Sequence, residues 1–500
     1  MKSSAWFLGA VAICLLIAGA VLRTHDGSTF PQSSVAPRDA GHLVFSPAVA
    51  DWHLISSGPA PPAESDCFAL GVRCFTPAAM TAAYNYPPLY EQGFNGKGKT
   101  IAIIDSFGSP TIASDLHVFD TAFNLQPMCG EEGVTCTPDM PTFQVLQVQG
   151  SPPPVPQPPT SKGTGQENHF GWAVEVSLDV EWAHATAPGA NIILVTTPTA
   201  ETLGVQGFPQ MMNAVQFVVD HHLADVISMS LGAGEGSFAN GQAALLKLRQ
   251  AFVDAQANGI TVIASSGDGG TTNHLKEPVK NPAPIPYPSV IWPASDPLVT
   301  AIGGTRLCAD PSATAGRTTD NTDPPGVCQV QPAQTEIGWP FSGGGYSILF
   351  PRPAFQDNLP AGSTYVGSSV GAPGPNSNMR GVPDVAYQAS SGTGPLVYLG
   401  AFGWFFVGGT SCGAPQWAGL IAIADQISGD NLGYINPALY KIGSDSTRYA
   451  NDFFDITTGN NQTSSIPGYS VSQGWDAVTG LGTPNAANFA PDLVKAVHGQ

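Results

Sequence analysis

Charge is what this sequence has least of. Asp, Glu, Lys and Arg make up 11% of its 500 residues, against roughly a quarter in an average soluble domain. Basic residues are the scarcer kind: 18 Lys and Arg face 37 Asp and Glu, for a net charge of −19. That balance argues against nucleic acid or an anionic membrane surface as a partner. A low-charge acidic chain nears neutrality in acid, which hints at an acidic working environment. Beyond the N-terminus there is no long apolar run, so the body reads as soluble. No DxDxDG string is present, which removes the EF-hand type of calcium loop. Gly (57) and Pro (46) are plentiful instead. The surface must therefore be largely uncharged and polar, with many rigid turns.

The first residues read as a targeting segment. Lys2 supplies the positive start, Ala5 to Leu22 is apolar throughout, and Ala18-Gly19-Ala20 fits a small-residue cleavage site. An uncleaved signal anchor is the competing reading of residues 1–22. Residues 23–75 are rich in Pro, Ser and Ala without a clear period, and read as a linker. A folded domain is expected from Thr76 to the C-terminus. Of eight cysteines, six sit as close pairs in turn-rich contexts. Three local disulfides are expected: Cys67 with Cys74, Cys129 with Cys136, and Cys308 with Cys328. Such bonds belong to an oxidising compartment, in agreement with export. Cys412 is left over in an apolar setting, as a buried free thiol.

The stretch Val407 to Ile423, VGGTSCGAPQWAGLIAI, is the centre of the chemical reading. Ser411 follows Gly408, Gly409 and Thr410 and precedes a run that reads as a buried helix. A hydroxyl beside a helix N-terminus suits a nucleophile, because the amides there can receive negative charge. An ordinary N-cap serine is the competing reading.

The strand and helix pattern is of one kind. Thr100 to Asp105, TIAIID, reads as a buried strand ending in an acid. Ala190–Thr196, Val226–Leu231 and Ile260–Ser265 read as further strands. Phe208–His222 and Gly241–Asn258 read as helices between them. This alternation predicts an α/β fold with a mostly parallel central sheet flanked by helices on both faces. Gly171 to Ala183, GWAVEVSLDVEWA, reads as a helix with Glu175 and Asp179 one turn apart on one face. Such a pair is either solvated, with Glu181 as a further charge, or buried and sharing a proton. A buried pair has one raised pKa, as a base or proton shuttle requires. Asp268, in the turn Ser266-Gly267-Asp268-Gly269-Gly270, lies on the crevice side of such a sheet. Otherwise it is an Asx-turn aspartate. Phe341 to Ser347, FSGGGYS, allows a close backbone approach or is a flexible loop. Pro152 to Gly165 reads as a proline-rich surface loop. Asp455 and Asp476 lie in glycine-rich loops with open carbonyls, an oxygen-only set that suits calcium; as a motif it is weak, and plain turn aspartates are the stronger reading of these residues alone.

Taken together these segments resemble the sedolisin family, the serine-carboxyl peptidases of subtilisin-like fold, from about Thr76 to the C-terminus. GGTSCGAP resembles the family's nucleophile segment, EVSLDVEWAHATAP its Glu-x-x-x-Asp helix and SSGDGG its oxyanion turn. WPASDPLVTAIGGT, SGGGYS and RGVPDV follow in family order, and DIT with GWDAVTGLGTP resembles its calcium loop.

The resemblance implies that Ser411 is the nucleophile and Glu175 its general base, where subtilisins use histidine. It implies that Asp179 holds Glu175 and that Asp268 serves the oxyanion hole as a protonated acid, which ties activity to acidic pH. Asp105 is placed to extend the proton network. One structural calcium is implied, held by the side chains of Asp455 and Asp476 and the carbonyls of Ile456, Ser472 and Gly474. The implied protein is a secreted acid-active endopeptidase or tripeptidyl-peptidase, monomeric, acting on protein or peptide substrates. It has no stable membrane partner unless the N-terminal segment stays uncleaved. Three features depart from the family. Residues 23–75 are too few for its usual long N-terminal pro-domain. Leu231 in SMSLG stands where tryptophan is frequent, and Cys412 replaces a small residue. Two other readings compete. A histidine-type subtilisin needs a His-Gly-Thr helix start, and His169 is followed by Phe170. A non-catalytic secreted binding protein on a peptidase scaffold is the other.

Overall fold

The computed structural model describes residues 51–148, 169–199, 207–238, 242–273, 284–318, 328, 335–357, 365–366, 378–400, 402–463 and 466–500. The expected targeting segment, residues 23–50 and the proline-rich loop at 152–165 lie outside the described residues.

The β-branched runs form a parallel sheet. Its strands follow the spatial order Glu336–Gly338, Thr300–Leu307, Thr261–Ser265, Val226–Met229, Thr100–Ser106, Asn191–Thr197, Phe143–Gln147. Val385–Gln388 also pairs with Thr300–Leu307, in parallel. Glu336–Gly338 runs antiparallel to its neighbour. Apart from the edge strand Phe143–Gln147, side chains on both faces are covered, as continuous apolar strands demand. Ile101 and Ile103 look into one core. Ala102 and Ile104 look into the other, beneath the Phe208–Asp220 helix. The helices His169–Thr186 and Gly413–Ser428 pack on the first face.

Two expectations change. The expected helix at 241–258 is two, Gln242–Leu248 and Gln250–Ala257, with Arg249 at the junction. The Arg249 guanidinium reaches sideways to grip both Asp296 oxygens, at 2.8 and 2.9 Å. The linker expected over 23–75 is not one from Asp51 onward. Asp51–Ser56 pairs antiparallel with Gly403–Gly408. Arg73–Phe75 pairs parallel with Thr393–Leu399, and together these strands make a second, four-stranded sheet. The reason is register. A six-residue strand with one apolar face is stabilised by a partner distant in sequence, which a local periodicity does not reveal.

The three expected disulfides are present, at Cys67–Cys74, Cys129–Cys136 and Cys308–Cys328. Cys412 is free and buried. No helix among the described residues is long and apolar enough to cross a membrane.

Candidate active site

Glu175 and Asp179 stand one turn apart on the helix His169–Thr186. From Phe170 to Thr186 every residue is buried, so the solvated-face reading of this helix fails. Glu181 points elsewhere and accepts the Tyr398 amide at 3.0 Å. Asp105 closes the strand Thr100–Ser106 and is buried as well. Three buried carboxyls are thus gathered at one face of this helix.

The electrostatics follow from that burial. Loss of solvent pushes the Glu175 pKa well up, and Asp179 and Asp105 add to the effect. The Ser411 hydroxyl lies beside the Glu175 carboxyl and draws its pKa back down. The two stop short of strict hydrogen-bond geometry, as resting catalytic pairs often do. Burial also raises Asp179, with a further push from Asp105, while the Ser230 hydroxyl donates to Asp179 Oδ1 at 2.9 Å. Asp105 is pushed up to about 8 by burial, and neither of its oxygens has a hydrogen-bond partner.

Ser411 reaches this cluster through a tight turn. The strand Gly403–Gly408 ends at Gly409, whose φ of +148° is open to glycine but strained for other residues. The short 3-10 turn Thr410–Cys412 follows, and the helix begins at Gly413. Ser411 is therefore just ahead of a helix N-terminus, not a simple cap: no side-chain cap bond is made there.

Asp268 is tied to the same turn. Its Oδ1 accepts the Thr410 amide at 2.7 Å and the Thr410 hydroxyl at 2.8 Å. The Gly267 amide in turn donates to the Thr410 hydroxyl at 3.0 Å. The glycine run at 343–345 backs this turn closely. The Gly343 amide donates to the Gly267 carbonyl at 2.7 Å, and a Cβ on Gly343 would collide with the Ser266 carbonyl oxygen. So Phe341–Ser347 is a close-approach segment.

All five expected proton-handling residues, Ser411, Glu175, Asp179, Asp268 and Asp105, are thus in one neighbourhood. Sequence reasoning missed Thr410 and Ser230, which hold Asp268 and Asp179. The only signal for them was adjacency: Thr410 precedes Ser411, and Ser230 lies within SMSLG. The neighbouring thiol is no rival nucleophile, because burial pushes the Cys412 pKa well above its usual value and the thiolate is the reactive form. His169, weighed as a triad partner, stacks its ring on Phe107 at 4.2 Å.

The expected calcium residues also converge. Asp455 accepts the Gly474 amide at 3.1 Å and the Tyr449 hydroxyl at 2.8 Å. Asp476 accepts the amides of Ser472, Val478 and Thr479. Both acids therefore close on the turn that carries the Ser472 and Gly474 carbonyls, with Ile456 next to Asp455. Neither carboxylate is paired with a basic side chain among the described residues, and the buried Ser472 hydroxyl has no hydrogen-bond partner. An all-oxygen set with uncompensated charge fits a hard cation such as calcium.

Residues 164–433 match the model of the subtilase family. Kumamolisin of Bacillus sp. (strain MN-32) is 33% identical over 415 residues, covering 82% of this chain and 62% of that protein. Sedolisin of Pseudomonas sp. (strain 101) is 30% identical over 318 residues, 63% of this chain and 48% of its own. Human tripeptidyl-peptidase 1 is 26% identical over 364 residues, 68% of this chain and 54% of that protein. The chain thus spans roughly half to three fifths of these relatives. The solved Pseudomonas sedolisin, a serine-carboxyl proteinase complexed with pseudo-iodotyrostatin, superposes with a TM-score of 0.60 at 25% identity. That match covers 84% of this chain and 97% of the other. With its serine among buried acids on a mostly parallel sheet, the chain belongs to the subtilase family, in its sedolisin-type, serine-carboxyl branch.

Proposed function

We propose that the protein is a secreted serine-carboxyl peptidase that hydrolyses peptide bonds of proteins in acid. One observation carries the reading: a buried serine hydroxyl lies beside a buried glutamate, with two further buried acids near it. Glu175 takes the hydroxyl proton as Ser411 attacks the scissile carbonyl carbon. Asp179 holds Glu175 in place, and Asp105 extends the proton reservoir. Asp268, fixed by Thr410, donates its own proton as a hydrogen bond to the developing oxyanion. Glu175 then returns its proton to the leaving amine, and water resolves the acyl ester on Ser411 by the same route reversed.

The names of the relatives support a peptidase, and the three disulfides support passage through an oxidising compartment. The calcium loop serves folding; a bound ion would neutralise Asp455 and Asp476 and brace the 472–476 turn. No step of the chemistry passes through it.

The test is hydrolysis of a denatured protein at about pH 4 by the full chain and two variants. Ser411→Ala and Glu175→Gln should each cut the rate by about 10³-fold or more. Near-full activity in either variant removes the role given to that residue. An inert wild type, unlabelled by a serine-directed inhibitor from about pH 3 to 7, returns the non-catalytic reading.

A further inference from the structure

The strand Asp51–Ser56 has a place in the catalytic assembly that its sequence does not suggest. It lies against Gly403–Gly408, the strand that delivers Ser411, with Trp52 opposite Val407. On a shared sheet face, the diagonal neighbour of Trp52 is Phe405. The two rings stand 6.4 Å apart, edge to face. The Trp52 ring also stands 5.2 Å from Phe170, and Phe170 is 5.9 Å from Phe405. The three rings close a triangle. Phe405 belongs to the nucleophile's strand. Phe170 is in the first turn of the helix that carries Glu175 and Asp179.

We infer that Trp52 is a positioning residue for catalysis, an aromatic bridge that sets the distance between the nucleophile's strand and the base-bearing helix. The inference rests on the serine-carboxyl reading above and adds to it a residue far from the motifs. The physical case is that Ser411 and Glu175 lie on separate elements with no direct hydrogen bond between them. Their spacing is therefore set by how the two elements pack. The helix is buried from Phe170 onward, and only its first residue, His169, is half-buried, so its start is fixed by what packs on Phe170. Trp52 packs there from a third element. His53 offers an internal control. It points to the opposite face of the same strand, where its ring stands 6.2 Å from Phe406.

The experiment compares wild type with Trp52→Ala, Trp52→Phe and His53→Ala in the full chain, on a peptide substrate, well below each melting temperature. Trp52→Ala should lower kcat by about 10-fold or more with KM within about twofold, since small misplacements of reacting groups are costly. The alkaline limb of its pH profile should move toward acid, because a loosened helix readmits water to Glu175. Trp52→Phe should recover most of the kcat, and His53→Ala should stay within about twofold of wild type. If Trp52→Ala does not accumulate folded, Trp52→Leu takes its place. A folded Trp52 variant with wild-type kcat and pH profile overturns the bridge, as does an equal loss in His53→Ala. An inactive wild type instead sinks the peptidase reading itself, so the two failures are distinct.

Discussion

Two clusters of buried acids lie along a single helix, and they are built differently. Toward the start, Glu175 and Asp179 meet Asp105; the Ser230 hydroxyl donates to Asp179 and the Ser411 hydroxyl lies beside Glu175. At the end, His184 Nε2 donates to the Gln126 carbonyl at 2.8 Å and lies 3.1 Å from Asp120 Oδ2. His117 Nδ1 lies 3.1 Å from Glu131 Oε2, and the Glu131 carboxyl takes the Met128 amide. Burial draws the His184 pKa down, but Asp120 and the Gln126 carbonyl outweigh it and hold the imidazole above its usual value. The second cluster has basic partners and reads as a clamp between helices. The first has none of that kind among the described residues, so its acids are neutral there by keeping protons. A cluster that stores protons next to a hydroxyl is equipped for chemistry; one that pairs them is equipped for stability.

Asp105→Asn probes the contrast most strongly. It should lower activity by roughly 10-fold, because the proton network loses a member. It should also raise stability at neutral pH. A carboxyl whose folded pKa is raised from 3.8 to about 8 favours the folded state fully below 3.8. That contribution is lost as pH rises through the window to about 8. Melting temperatures of wild type and variant at pH 4 and 8 check it: the variant's melting temperature should fall less across that range. Equal slopes would mean that Asp105 carries no proton in the fold.

Calcium removal should act on stability before activity. Chelation should lower the melting temperature by about 5 °C or more, and Asp476→Ala should make the protein insensitive to added calcium. Equal melting curves with and without chelator would remove the ion from this loop.

The smallest effect belongs to the clamp. His184→Gln should lower the melting temperature by a few degrees near pH 5, while kcat per folded molecule stays unchanged. Its contribution is whole below the unfolded value of 6.5 and fades as pH rises through the raised folded pKa. A loss of kcat with an unchanged melting temperature would join the two clusters into one proton system and dissolve the distinction.

Much of the site was legible because its residues sit in short local motifs. TIAIID, the Glu175–Asp179 spacing and the glycine turns at Asp268 and Ser411 each carry their own signal. The alternating strands and helices from 100 to 265 were legible for the same reason. What escaped depends on contacts distant in sequence. Trp52 is in a stretch without period and gains meaning only through Phe170 and Phe405. The strands Thr393–Leu399 and Gly403–Gly408 form half of a sheet whose other half is supplied by residues 51–75. The wet-face reading of the Glu175 helix was open because four-residue spacing says which side chains are neighbours, not whether water reaches them.

The most direct measurement is the pH dependence of kcat/KM on a peptide substrate between about pH 2 and 9. If carboxyls carry the proton traffic, activity peaks in acid and collapses above neutrality as the buried cluster ionises. A maximum near pH 8, with activity lost in acid, would mean that an imidazole relieves Ser411 of its proton and would contradict the account.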